Sequence, residues 1–187
     1  MQEQIELLSD DENDEEKYTS FAKHLALRRH LIESDIRDLS FPHMLTDRVI
    51  NAAQTALKSA HGDQTGRESL QDTVLGQVLH FQSSGGLPFV QILHDGNYHW
   101  VAVTTYGCNP GEIYLMDSMV HYVGKRSKRS KPRIRIHGHV KEQICDLLRS
   151  PAASIQVKVE RVEQQNNGVD CGLFAIAFCQ YVLVNKR

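Results

Sequence analysis

The stretch NNGVDCGLFAIAF, from Asn166 to Phe178, puts a thiol where turn formers give way to an apolar run. Asn166, Asn167 and Gly168 favour a turn, whereas Leu173, Ile176, Ala177 and Cys179 to Tyr181 read as a buried helix. Cys171 at that junction is either a small core residue or a nucleophile whose thiolate is favoured by the positive end of the helix dipole. Asp170 suits a helix cap that leaves the first-turn amides near the sulfur. Gly172 has no side chain, so a substrate carbonyl could approach closely. Each feature also suits a plain helix start, so the motif alone leaves both readings open.

A nucleophilic cysteine needs a base, a group that orients the base, and donors aimed at the developing oxyanion. Ten histidines are present, and His99 stands out by its setting. It sits beside Trp100 in the alternating stretch NYHWVAVTTYG, where a polar ring among apolar residues needs a reason. The reading places it on a strand. Asp117 follows in IYLMDS, across the turn at NPGE. Two antiparallel strands joined in this way bring His99 and Asp117 side by side on one face, where the carboxylate would fix the imidazole tautomer. The alternative is an aspartate that merely ends a strand. Gln165 or Gln164 could supply the oxyanion amide, since the Asn-Asn-Gly turn returns the chain toward the sulfur. Strand alternation sends the two side chains opposite ways.

The elements that must hold these residues follow from hydrophobic period. YTSFAKHLALRRHLIE has helical spacing through Phe21, Leu25, Leu27 and Leu31. LTDRVINAAQTALKSA is a stronger helix, capped by Thr46 or Asp47, with Val49, Ile50, Ala53 and Leu57 in one stripe. HGDQTGRES is a polar loop, and LQDTVLGQVLHF reads as helical despite Gly76. The period then changes to two. LPFVQILHDG, NYHWVAVTTYG and IYLMDS are strands, VKEQICDLL is an amphipathic helix, and SIQVKVERVEQ reads as an antiparallel-type strand with one solvated face. A last helix runs from about Asp170 to Val184. Helices followed by strands and a mixed end predict an α+β fold with a mainly antiparallel sheet.

The bulk numbers set limits. A chain of 187 residues, 41% hydrophobic, suits one domain with a real core. The reading divides it into an acidic, flexible tail over 1–17 and a catalytic domain over 18–187. A net charge of -2 gives no overall bias toward nucleic acid. No long apolar run suggests a membrane span and no signal-peptide pattern is visible, so an intracellular protein of nucleus or cytoplasm is expected. Cys108, Cys145, Cys171 and Cys179 lack paired metal spacing, and free thiols are expected. IHGH with Cys145 makes a poor zinc set, because Cys145 lies among apolar neighbours, so no metal or cofactor is expected. Lys125 to Arg135 is the most basic stretch, read as an exposed loop, with a nuclear address or an acidic partner's docking patch as the alternatives.

QQNNGVDCG, YHW and LMDS together resemble the ubiquitin-like protein-specific cysteine proteases, the SUMO-protease type. That family carries a His-Trp pair on a strand, an Asp on the next strand, a Gln six residues before the Cys, and Asp-Cys-Gly at a helix start. The resemblance implies Cys171 as nucleophile, His99 as base, Asp117 as orienting carboxylate and Gln165, not Gln164, as oxyanion donor. It implies a papain-like fold, although the chain order is His, Asp, Cys where papain has the Cys first. LTDRVINAAQ resembles the family's first core helix, so the likeness covers roughly residues 40–185. It further implies that Trp100 and the residue at 44 clamp a tunnel for the substrate's Gly-Gly tail, with Gly172 beside it. The family often has a Trp at the place of Met44, and a thioether is less rigid than an indole. The implied activity is hydrolysis of peptide or isopeptide bonds after the diglycine tail of a ubiquitin-like modifier, by a monomer whose partner is that modifier or its conjugates. The alternatives are a peptidase of this fold with another protein substrate, transposon-derived or effector-like, and a catalytically silent binding module.

Overall fold

Thr46 begins the first helix that matters to the site. Its hydroxyl accepts the Val49 amide at 3.4 Å and also donates to Asp35 Oδ1 at 3.5 Å, so one side chain caps a helix and ties it to the element before it. The computed structural model describes residues 31–40, 43–61, 69–120, 122–123 and 133–185. The acidic tail over 1–17, nearly all of the helix read from Tyr18, most of HGDQTGRES, and the basic stretch up to residue 132 lie outside the described residues.

Helix α1 (Glu33–Ser40) leads into α2 (Asp47–His61) and the short α3 (Thr73–Leu79). The apolar stripe of α2 is buried through Val49, Ile50 and Ala53. Buried Asp35 accepts from the Ile32 amide and pairs with Arg48 Nε at 3.2 Å. Helix α3 is shorter than the pattern from Leu70 suggests, because tertiary bonds claim the residues before it. The Leu70 amide donates to Val90 O at 3.0 Å and the Gln71 amide to Gln91 Oε1 at 2.6 Å. Asp72 then caps the helix, accepting from the Val74 and Leu75 amides.

Strands β1 (Val90–His94), β2 (Trp100–Thr104) and β3 (Glu112–Met116) form an antiparallel meander. A two-stranded ribbon of β4 (Tyr122–Val123) and β5 (Arg133–Ile134) precedes α4 (Gly138–Leu148). A 3₁₀ turn at Ala152–Ser154 leads to β6 (Gln156–Val159), and α5 (Cys171–Asn185) ends the described chain. The main sheet has the order β1-β2-β3-β6. Its last pairing corrects the sequence reading: β6 runs parallel to β3, with Ile113 beside Val157 and Leu115 beside Val159. The crossover through α4 supplies the long connection that a parallel pair requires. The alternation in β6 reflects its place at the edge, where Gln156 is exposed and Val157 to Val159 are half-buried.

Both faces of the sheet are covered. Val90, Ile92, Trp100, Ala102 and Met116 pack with Val49 and Ile50 of α2 and with Cys171, Ala175, Cys179 and Val182 of α5. Leu93, Val101, Val103, Ile113 and Leu115 pack with Val140, Ile144 and Leu147 of α4. Helix α5 is apolar nearly all round, as a core helix must be. The outcome is an α+β fold whose sheet is antiparallel in two of three pairings. Among the described residues no helix is long and apolar enough to cross a membrane, and no cysteines form a disulfide.

The edge of β1 is closed by amides. Gln91 Nε2 donates to Gln54 Oε1 and Gln71 O, each at 2.9 Å, while Gln54 Nε2 donates to Gln71 O at 2.8 Å. Gln54 and Gln91 are buried, so each lost partner leaves a polar group without water. Gln91→Leu is expected to cost about 1–3 kcal/mol in urea unfolding, with the alkylation rate of Cys171 unchanged. A loss under about 0.5 kcal/mol, the range of neutral surface changes, would show the network to be dispensable.

Candidate active site

The β1–β2 hairpin sets the position of His99. Asp95 Oδ1 accepts from the Asn97 amide at 2.8 Å and the His99 amide at 3.1 Å, closing the loop on itself. The Asp95 amide donates to His99 O at 3.0 Å. Gly96 has φ +86°, and a Cβ there would lie 2.4 Å from the His139 ring, so both backbone and space require glycine. His99 therefore immediately precedes β2 instead of lying within it, and Asp117 immediately follows β3. The sequence reading placed His99 on the strand; the Asx-type turn claims it.

Strand register brings the two together. Ala102 pairs with Met116 and Val103 with Leu115. Continuing that register puts Asp117 opposite Val101, so His99, two residues earlier on the same face, is its diagonal neighbour and not directly opposite. Long side chains bridge such a diagonal. His99 Nε2 meets Asp117 Oδ1 at 2.7 Å. The same oxygen accepts the Met119 amide at 2.7 Å, which holds the carboxylate still. The side chains of His99 and Asp117 keep 17% and 15% of their surface exposed, so water screens the pair only in part.

With Nε2 committed to Asp117, Nδ1 is the ring nitrogen left for a second partner. Burial pushes the His99 pKa down. Hydrogen bonds to Asp117 and Cys171, and the charges of both, push it up and prevail, raising it from 6.5 to about 9. At neutral pH the ring is thus imidazolium. Cys171 opens α5 and is only 1% exposed; its Sγ lies 3.7 Å from Tyr98 O. Asp170 precedes it, with its carbonyl accepting the Phe174 amide at 3.0 Å. The Asp170 carboxylate accepts from Asn167 Nδ2 at 2.5 Å, and Asn167 Oδ1 accepts the Val169 and Asp170 amides. The Asn-Asn-Gly turn is therefore bonded to the start of the helix.

Gln164 and Gln165 do point apart. Gln165 Nε2 donates to Asn167 O at 2.7 Å, and its Oε1 accepts from Ser118 Oγ at 2.6 Å. Gln164 instead grips the chain after Asp117: its Nε2 donates to Asp117 O at 2.9 Å and its Oε1 accepts the Val120 amide at 3.0 Å. The segment before α2 closes the other side. Trp100 Nε1 donates to Leu45 O at 3.0 Å, and its ring lies 4.4 Å from that of His94. Trp100 is 5% exposed, so most of the indole is core and only an edge is left for a ligand. Met44 is half-buried beside Leu45. Gly172 lies close to Leu45, where a Cβ would come within 3.0 Å of the Leu45 Cβ.

His94, Leu45 and Ser118 escaped the sequence reading. Ser118 carried a signal, because it follows Asp117 directly and alternation turns it to the other face, the face of Trp100 and Cys171. The Leu45 carbonyl carried none, since a backbone acceptor has no residue type. Among the described residues no group of three or more His, Cys, Asp and Glu side chains is placed to hold a metal ion. The arrangement can hold an imidazolium beside a sulfur, with a carboxylate behind it and an amide near the turn that leads to the helix.

Residues 89–187 match the family described as "Ulp1 protease family, C-terminal catalytic domain". No curated protein matches. Among solved structures, a de-sumoylating protease is 17% identical with a TM-score of 0.57, over 83% of this chain and 68% of that one. The C-terminal Ulp1 protease domain in complex with Smt3, the yeast ortholog of SUMO, is 12% identical with a TM-score of 0.57, over 91% and 84%. The catalytic domain of a Ulp1-like SUMO protease from Chaetomium thermophilum is 16% identical with a TM-score of 0.54, over 98% and 82%. At these identities the likeness is one of fold.

The raised His99 pKa has a signed consequence. Its stabilisation is fully present below pH 6.5, where the unfolded ring is also charged, and is lost as pH rises through about 9. Proton NMR of His99 should titrate near 9, and Asp117→Asn should bring that value down and flatten the loss of stability between pH 6.5 and 9. An unchanged titration in the variant would show that Asp117 does not support the imidazolium.

Proposed function

The chain belongs to the Ulp1 protease family and is a cysteine protease, and we propose that it hydrolyses the peptide or isopeptide bond after the diglycine tail of a ubiquitin-like modifier. Cys171 is the nucleophile, His99 the base, Asp117 the orienting carboxylate and Gln165 the oxyanion donor. The observation that carries this reading is the 2.7 Å pairing of His99 with Asp117, with Cys171 close enough to add to the rise in the His99 pKa.

The steps follow from that geometry. His99 holds the proton that Cys171 has given up, and Asp117 supports that imidazolium across Nε2. The thiolate attacks the carbonyl carbon. The Gln165 amide and the Cys171 backbone N–H receive the charge that builds on oxygen, a role in which one lost donor costs about 10²–10³ in rate. His99 then gives its proton to the leaving amine, and water cleaves the thioester to release the modifier's carboxylate. Two features support a diglycine tail as substrate. The cysteine is 1% exposed, so only a thin, extended chain can bring a carbonyl to it, and glycines have no side chains to exclude. One structural neighbour is described as a de-sumoylating protease, another as a Ulp1-like SUMO protease, and a third is in complex with Smt3.

The test is turnover of Smt3 and of ubiquitin, each ending in Gly-Gly with a fluorogenic amide attached. One of them is expected to be cleaved, and Cys171→Ala is expected to lower the rate by at least about 10⁴-fold with the melting temperature retained. Undiminished cleavage by that variant would remove Cys171 from the reaction. Cleavage of generic peptide amides alone would move the substrate to another protein class. Binding of a modifier without any turnover would favour a silent recognition module.

A further inference from the structure

An amide serves an oxyanion only with its N–H end toward the developing charge, and its C=O end would oppose it. The two ends have nearly the same shape, so something must choose between them. Gln165 is half-buried; one partner makes that choice and a second holds the side chain in place. Asn167 O, a carbonyl that can only accept, takes one N–H of Gln165 Nε2 at 2.7 Å. Ser118 Oγ, on a residue only 1% exposed, donates to Oε1 at 2.6 Å. Flipping the amide would set Oε1 against the Asn167 carbonyl, two acceptors at bonding distance. Nε2 has two hydrogens, and one remains after Asn167 is satisfied.

The support behind Ser118 is equally fixed. Its carbonyl accepts the Gln165 amide at 2.9 Å, so side chain and backbone of the two residues are doubly joined. Gln164 braces the same turn through Asp117 O and the Val120 amide. Ser118 thus follows the carboxylate that holds His99 and itself holds the glutamine.

We infer that Ser118 is a positioning residue: its buried hydroxyl anchors the Gln165 side chain, which the Asn167 carbonyl orients so that an N–H faces the substrate oxygen. The inference rests on the reading of Gln165 as oxyanion donor. It ties the oxyanion donor to the residue that follows the carboxylate, so that the two are linked through one turn.

Ser118→Ala, Gln165→Ala and the double variant separate the possibilities, assayed on diglycine-ended Smt3 and ubiquitin amides together with iodoacetamide alkylation of Cys171 followed by mass spectrometry. Alkylation expels iodide and builds no carbonyl oxyanion, so it reads the Cys171–His99 pair alone. Ser118→Ala is expected to lower kcat about tenfold, the worth of about one well-formed hydrogen bond, with KM within about twofold and alkylation unchanged. The further loss on adding it to Gln165→Ala should be negligible, because the residue it positions is gone. Full additivity in the double variant would overturn the inference and leave the donor reading intact. A Gln165→Ala variant with normal kcat, or a wild-type chain that cleaves neither substrate, would instead defeat the reading beneath it, and the inference would fall too. A Ser118→Ala chain that no longer melts cooperatively, or that loses alkylation with kcat, would make the hydroxyl a general structural support and also overturn it.

Discussion

The bond from His99 Nε2 to Asp117 Oδ1, at 2.7 Å, is the constraint on which the rest depends. It exists because β2 and β3 pair in one register, with Ala102 against Met116. Side chains alternate along a strand, so a slip of one residue would send Asp117 to the other face of the sheet. The core guards against that slip. Val101, Val103 and Leu115 must face α4, while Trp100, Ala102 and Met116 must face α5. Burying apolar side chains at about 25 cal/mol per Å² on both faces makes the register far more secure than the single polar pair it produces. The chemistry inherits its alignment from packing.

The sulfur arrives by a separate route, and the joints between the routes are short. Helix α5 lies against β1 and β2 with Cys171 at its first turn. Gly172 lets Leu45 pack closely there, and the Leu45 carbonyl receives the indole N–H of Trp100, next to His99. From the other direction, Ser118, Gln165, Asn167 and Asp170 form a line of hydrogen bonds from the end of β3 to the residue before Cys171. Four distant segments therefore meet through backbone and amide contacts that leave little slack. The cost is a nearly buried thiol.

Much of this was legible in the residues. The cysteine at a change from turn formers to an apolar run marked the start of α5, because capping and burial leave residue-type signatures. The shared face of His99 and Asp117 followed from strand period. What failed had physical reasons. Alternation reports which face is wet and says nothing of strand direction, so the parallel pairing of β6 was invisible. The early part of LQDTVLGQVLHF has helical spacing, yet bonds from Leu70 and Gln71 to the β1 edge outweigh local propensity. Asp95 draws His99 off the strand end by a side-chain bond to its amide.

The most direct test of the central claim is covalent capture by a modifier whose diglycine tail ends in a thiol-reactive alkyne, read by mass spectrometry of the adduct. An adduct on Cys171, formed by the wild-type chain and lost in His99→Ala, is the expected result. An adduct on Cys108 or Cys145, or capture that proceeds equally well without the imidazole, would contradict the assembly of ring, carboxylate and sulfur into one catalytic unit.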